Sequence, residues 1–496
     1  MIRIPKTMST QHPDNVQQPF FTNSNILEGE DEIKEAFYVF SHLGCKEQLW
    51  DFEGKEVDNY VVKKLLNKYD NFFAKKKLGK DFFITLRLPN PDVEKNEVKI
   101  LAETLESIPR SFDIAKVFYE DSDDDIAPIF EVAQPMTTNS ISLKRIKAYY
   151  NKIVINKENS FLVDNDIKIR EWIGEFNPKN INVIPLFEDM DGILNSSSIT
   201  KEYLNDSMNK YIEYQRVWLA RSDPALNYGS LSAVLMNKIA LQRFAKLEND
   251  ISIPIYPIFG SGSAPFRGNL RPDNVKMIVK AYPSVQTHTI QSAFKYDNPQ
   301  NHVVDAVNEI EETVRKQPTP VSDEEATIAL VKKISSEYQK QISLLSSIVN
   351  DFSVHIPVRR KRKLHIGLFG YSRSSNGIKL PRAITFVASM YSMGLPPEIL
   401  GLNVLDRKDF DIIKDVVLYL DDSMADSLKY LNIDNLKYFP QEIQNVVLKS
   451  IKLFNYVPDE NHNKITSVIM DDYSKRKLQP LHDNILLAAS ARGFLG

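Results

Sequence analysis

One pattern recurs along the chain: a short apolar run rich in Ile, Val and Phe, closed by polar or charged residues, then a longer amphipathic stretch. Phe82-Phe83-Ile84-Thr85-Leu86-Arg87 is such a run. Ile181-Asn182-Val183-Ile184-Pro185-Leu186-Phe187-Glu188, residues 253–259 and residues 364–370 are others. Apolar runs of this length predict strands buried on both faces, because neither face meets water. Further candidate strands cover 47–52, 129–132, 216–220 and 285–290. The stretches between them read as helices; in 238–247, Ile239, Leu241, Phe244 and Leu247 fall at helical spacing. Strands alternating with helices predict parallel βαβ units. Eight such strands predict an α/β fold, a (β/α)8 TIM-type barrel. Residues 321–351 and the part after Gly401 read as helix throughout, which predicts extensive additional helices around the barrel. No Gly/Ser-rich linker separates these parts. The expectation is one domain over 1–496, with the barrel core at about 1–400 and a helical C-terminal part at about 401–496.

Composition narrows the function classes. The 496 residues are 43% hydrophobic and 26% charged, enough for a large core. A net charge of −3 argues against general nucleic-acid binding. The basic run Arg359-Arg360-Lys361-Arg362-Lys363 has no interleaved aromatics and reads as a solvated lead-in to the next strand. The chain has no run of about 18 apolar residues, so no membrane span is expected. Its opening residues have no apolar core of the secretory kind, and a cytoplasmic location is expected. The single cysteine, Cys45, allows no intrachain disulfide and reads as a small core residue.

In a barrel of this kind the chemistry sits at the carboxyl ends of the strands. Those ends carry Arg87, Glu188, Asp223 just beyond a strand, Arg267 on a Gly/Ser loop, and Arg373. Carboxylates suit a hard divalent cation. Arginines suit phosphate and carboxylate groups through forked hydrogen bonds. The set points to a metal-assisted enzyme acting on a small phosphorylated carboxylic acid.

Several segments resemble the phosphoenolpyruvate carboxylase family, in family order. Thr10-Gln11-His12-Pro13-Asp14-Asn15 resembles its histidine motif, and the opening Met-Ser-Thr-Gln-His-Pro-Asp-Asn resembles the start of the archaeal-type branch. Pro185-Leu186-Phe187-Glu188 is similar to its metal segment. Arg221-Ser222-Asp223-Pro224-Ala225-Leu226 is similar to its Tyr-Ser-Asp-Ser-Ala-Lys segment. The glycine-rich loop from Gly260 to Gly268 and the pair Arg373 and Arg382 resemble its arginine motifs.

The resemblance implies the substrates phosphoenolpyruvate and bicarbonate, and oxaloacetate and phosphate as products. It also implies a Mg²⁺ (or Mn²⁺) cofactor held by Glu188 and Asp223, and a homotetramer. His12 would move a proton, and Arg267 and Arg373 would act on the transferring phosphoryl group. Arg87, Arg382, Arg221 and Trp50 would contact the substrates. Two departures remove positive charge: Leu226 stands for the lysine of the metal segment, and Ser261 for the first arginine of the glycine-rich loop. Arg221 is placed to restore one charge. A second reading is an Mg²⁺-dependent aldolase or lyase of the phosphoenolpyruvate/pyruvate barrel group, which explains Glu188 and Asp223 but not His12 or the arginine pair. A third is a non-catalytic binding protein descended from the enzyme, supported only by Leu226 and Ser261.

Overall fold

The computed structural model describes residues 4–53, 57–93, 98–119, 127–361, 374–375 and 378–496. Eight parallel strands close a barrel in sequence order. They are β1 (Thr7–Ser9), β2 (Glu47–Asp51), β3 (Phe83–Arg87), β4 (Glu131–Gln134), β5 (Asn182–Phe187), β6 (Gln215–Ala220), β7 (Ile255–Gly260) and β8 (Thr287–Ile290). The (β/α)8 expectation therefore holds, with a different eighth strand. Seven strands lie where the apolar runs predict them. The barrel closes through β1, whose Met8 pairs with Glu47 of β2 and Thr289 of β8. Three residues reading Thr-Met-Ser carry too little pattern to be seen as a strand. The predicted strand at 364–370 lies outside the described residues, as does Arg373. All eight strands are complete by Ile290, and the long helix Glu324–Ser353 and the helices from Ala383 onward pack outside them. Among the described residues no helix is long and apolar enough to cross a membrane.

Strand alternation sorts the barrel interior into layers. Met8, Leu49, Ala133, Ile184, Leu186, Trp218, Ala220 and Ile258 form an apolar cluster of their own, separate from the larger core. Below it, at the amino ends, the interior is charged. Arg216 donates to Glu47 Oε2 through Nη2 and to Glu131 Oε2 through Nη1, both at 2.7 Å, and all three side chains are buried. Tyr214 donates to Glu131 at 3.0 Å and Thr85 to Glu47. Burial, with Glu47 beside it, keeps Glu131 above its usual range even though Arg216 opposes the shift.

Two readings of single residues meet the structure differently. Cys45 is buried and its thiol is pushed up to about 11 by burial, as befits a packing residue. The basic run is not a solvated lead-in. Arg360 is buried against Glu32 at 2.8 Å and Glu35 at 2.6 Å on the helix Glu30–Ser41, and Arg359 donates to the Val16 carbonyl at 2.8 Å. Buried carboxylates on a distant helix supply the charge that local sequence does not show. Lys361 remains exposed beside Glu28, and Arg362 and Lys363 lie outside the described residues.

The barrel floor yields a stability prediction. Arg216→Leu leaves Glu47 and Glu131 buried without their cation and should cost about 3–5 kcal/mol. Urea unfolding of the full chain measures it. A loss below about 1 kcal/mol would show that the two carboxylates hold together without the guanidinium.

Candidate active site

The carboxyl ends of the strands bring an acidic and a basic group to one mouth. β2 ends at Asp51, with Glu53 two residues on, and β3 ends at Arg87. Arg87 forks onto Asp51, Nε to Oδ1 at 2.8 Å and Nη2 to Oδ2 at 2.7 Å, and meets Glu53 at 3.0 Å. Burial works against the charge of Arg87, but Asp51 and Glu53 outweigh it and raise its pKa. β5 delivers Glu188, whose Oε2 accepts the Met136 N–H at 2.7 Å. β6 leads into the short helix Ser222–Tyr228, which carries Asp223 in its first turn.

Glu188 is the electrostatic centre of this group. Burial first, then the Glu53 and Asp223 carboxylates, push its carboxyl well above the usual range, against the pull of Arg87. Negative charge is therefore crowded at this half-buried place, and Glu188 and Asp223 are the residues that could hold a divalent cation to relieve it. Among the described residues no three His, Cys, Asp or Glu side chains converge as a ready-made metal cage.

The second half of the mouth is built from β1, β7 and β8. His12 follows β1, half-buried, with Nδ1 2.8 Å from Thr10 Oγ1. Arg267 is buried on the glycine-rich loop. It donates to Asp14 Oδ2 at 3.1 Å, to the Gly496 carbonyl at 2.7 Å, to Ser222 Oγ at 3.1 Å and to Gln291 Oε1. Asp14 also accepts the Ala293 N–H at 2.7 Å. Asp14 and Gln291 were not singled out from sequence. Asp14 was visible inside the histidine motif, but nothing in it showed that the carboxylate faces an arginine some 250 residues away.

The glycines of the loop have a steric reason. A Cβ on Gly262 would lie 2.8 Å from the Arg267 guanidinium carbon, and Gly268 has φ +122° with Ser261 Cβ only 2.9 Å from where its own would be. The loop's N–H groups turn inward: Gly262 bonds to Arg267 O, Leu270 to Gly262 O and Asn269 to Ala264 O. The loop turns these N–H groups onto its own carbonyls and packs against the guanidinium.

The remaining predicted residues are placed as follows. Arg382 stands at the position just before the helix Ala383–Ser392, without a side-chain cap bond, and that helix packs against the Asp223 helix. The structure does not bring Trp50 or Arg221 to the mouth. Trp50 packs in the core outside the barrel, its indole N–H on the Asp58 carbonyl at 2.9 Å, because the inward positions of β2 are Glu47, Leu49 and Asp51. Arg221 faces a separate cavity beside Tyr282 and Ser230. Leu226 and Ser261 are both buried.

The close approach at Gly262 is testable. Gly262→Ala should cost about 1–3 kcal/mol through overpacking against Arg267, read as a lowered urea midpoint. A change within about 0.5 kcal/mol would show that the guanidinium moves aside freely.

Comparison with known proteins agrees with this architecture over the whole chain. A family profile described as phosphoenolpyruvate carboxylase matches residues 4–496. The chain is 49% identical to the phosphoenolpyruvate carboxylase of Methanospirillum hungatei JF-1, covering 100% of both. It is 50% identical to that of Pyrococcus furiosus, over 99% of this chain and 100% of the relative. To that of Halobacterium salinarum it is 43% identical, again over 100% of both. A barrel with Glu188, Asp223, His12 and Arg267 gathered at its carboxyl end, matched from residue 4 to residue 496, places the chain in the phosphoenolpyruvate carboxylase family.

Proposed function

We propose that the chain joins bicarbonate to phosphoenolpyruvate, irreversibly, and releases oxaloacetate and phosphate. One observation carries this reading furthest. A half-buried carboxylate group centred on Glu188 shares a barrel mouth with Arg87, His12 and Arg267. The full-length match to phosphoenolpyruvate carboxylases supports it.

Glu188 and Asp223 would hold Mg²⁺ or Mn²⁺, and the unrelieved negative charge around Glu188 is the ground for that assignment. When bound, the metal supplies neutralisation of the charge that develops on the enolate oxygen. The chain's own residues do the rest. Asp51 and Glu53 keep the Arg87 guanidinium charged and aimed, so it can face an anionic substrate without reorganising. Asp14 and Gln291 do the same for Arg267. Arg382 and Arg373 complete the set of cations assigned to phosphate and carboxylate. With these cations in place, bicarbonate attacks phosphorus and gives carboxyphosphate and the enolate of pyruvate.

Carboxyphosphate then divides into carbon dioxide and phosphate, and enolate C3 captures the carbon dioxide. His12 is assigned the carboxyl proton in that step. Nδ1 lies 2.8 Å from Thr10 Oγ1, which orients the ring; in the tautomer that donates Nδ1–H to that hydroxyl, Nε2 is the basic nitrogen. The same reading carries a cytoplasmic homotetramer. The exposed apolar side chains Phe161, Leu162, Val163 and Trp172 support an oligomer, because such clusters on monomers are uncommon.

Two variants test the division of labour. Asp223→Asn loses an anionic ligand, so half-maximal activity should need about tenfold more metal or beyond, with a lower kcat. Unchanged metal dependence would remove Asp223 from the site. His12→Asn should lower oxaloacetate formation by about a hundredfold to ten-thousandfold. Slow, bicarbonate-dependent release of phosphate and pyruvate should remain. Oxaloacetate formation near the parent rate would rule His12 out as the base, and complete loss of phosphate release would move its role to an earlier step.

A further inference from the structure

The chain leaves β4 through Pro135, Met136 and Thr137, and Met136 has φ +49°. That is the left-handed region, where a Cβ crowds the carbonyl oxygen and glycine is the usual occupant. Asn165 and Asn269 share the conformation, but their short polar side chains tolerate it. Met136 has no such side chain. A backbone in this state persists only where its surroundings hold it there.

The holders come from the neighbouring strands. Asn90 lies just beyond β3, between Pro89 and Pro91, and is buried. Its amide nitrogen donates to the Pro135 carbonyl at 2.8 Å and to the Met136 carbonyl at 3.2 Å. Its amide oxygen accepts the Asp92 N–H at 3.0 Å, which fixes the end that donates. The flanking prolines restrict the backbone on both sides, so the clamp is stiff. From the other side, the Leu186 carbonyl of β5 accepts the Thr137 N–H at 2.9 Å, and the Thr137 hydroxyl donates to the Gln134 carbonyl at 2.9 Å.

The strained turn delivers one bond to the site. It aims the Met136 N–H at Glu188 Oε2, at 2.7 Å. Like charges on Glu53 and Asp223 push on Glu188 while Arg87 draws it, so this bond decides where the carboxylate settles. A carboxylate fixed by an outer partner meets a metal in one geometry, and such partners weigh heavily in metal affinity.

We propose that Asn90 is a positioning residue for Glu188. It holds Met136 in the left-handed conformation, and through the Met136 N–H it fixes the carboxylate that takes the divalent cation. One Glu188 oxygen is occupied by the backbone, and the other is the one offered to the metal. Without the Asn90 amide the turn relaxes and the N–H swings off Glu188. This role rests on the metal reading of Glu188 and Asp223, and Asn90 lies outside the segments that carry the family resemblance.

Binding of Mn²⁺ to the full chain tests it, read from the electron paramagnetic resonance signal of the free ion with no phosphoenolpyruvate present. Asn90→Ala should weaken Mn²⁺ about tenfold to a hundredfold. Met136→Val should bind about tenfold more weakly than Met136→Gly, because a β-branched residue resists a positive φ and glycine does not. In the Met136→Gly background the turn needs little support, so there Asn90→Ala should cost less than about threefold. An Asn90 that served stability alone would lower the urea midpoint without this coupling. Parent affinity in folded Asn90→Ala would overturn the proposal, and so would an equal loss in the Met136→Gly background. If Asn90→Ala does not fold, equal Mn²⁺ affinity in Met136→Val and Met136→Gly overturns it instead. A parent chain that binds no Mn²⁺ overturns the metal reading itself. A parent that binds Mn²⁺ no better than Asn90→Ala does overturns the positioning alone, so the two failures are distinguishable.

Discussion

The buried carboxylate of Asp14 ties together four parts of the chain. It accepts from Arg267 on the loop after β7 and from the Ala293 N–H just after β8. Its own backbone carbonyl accepts the Leu495 N–H, and Arg267 in turn holds the Gly496 carbonyl. The first strand, the last two barrel loops and the C-terminal segment are thus fixed to one point. A charged pair this deep is not a strong source of stability, since desolvation cancels much of the attraction. Its value is geometric. With Asp14 in place, Arg267 has one orientation, and His12, two residues earlier, inherits a fixed backbone.

The same logic governs the other half of the mouth. Arg87 is useful to an anion only if it is charged and still, and Asp51 and Glu53 supply both conditions. Their negative charge is not spent on Arg87 alone, because Glu188 still feels Glu53 and Asp223 strongly enough to be pushed up. The site thus holds guanidinium groups that are compensated and a carboxylate group that is not. That imbalance favours binding a cation first and an anionic substrate against it.

The cavity that Arg221 faces is lined also by Pro265, Gly268 and Asn269, so the segments that carry Asp223 and Arg267 to the mouth each have residues on its wall. Leu226, buried on the helix that begins with Ser222, and Ser261, packed against Gly268, show how the charges missing from these segments are replaced by tight packing. Arg221 does not restore charge to the mouth; its side chain turns to the far side of the same turn.

The pattern of apolar runs was enough to predict parallel strands between helices, because a strand buried on both faces is apolar at most positions, as β3, β5 and β7 are. Glu188, Asp223 and Arg87 were legible for a related reason. In a barrel, the residue that follows an apolar strand is carried to the functional face by topology alone. What the sequence could not show is everything that depends on which side a residue faces or whom it meets. β1 was invisible because it is only three residues long and two of them are polar, and it becomes a strand only by pairing with β2 and β8. Trp50 and Arg221 sit in motif-like contexts, yet their side chains turn away from the mouth. Arg359 and Arg360 look solvated in a basic run, but buried partners elsewhere neutralise or bond them. Asp14 and Arg267, Arg216 and Glu47, Arg360 and Glu35 are pairs separated by hundreds of residues. Local sequence records a residue's own chemistry and its neighbours in the chain, whereas a buried charge is decided by its neighbours in space, and only the closed barrel brings those together.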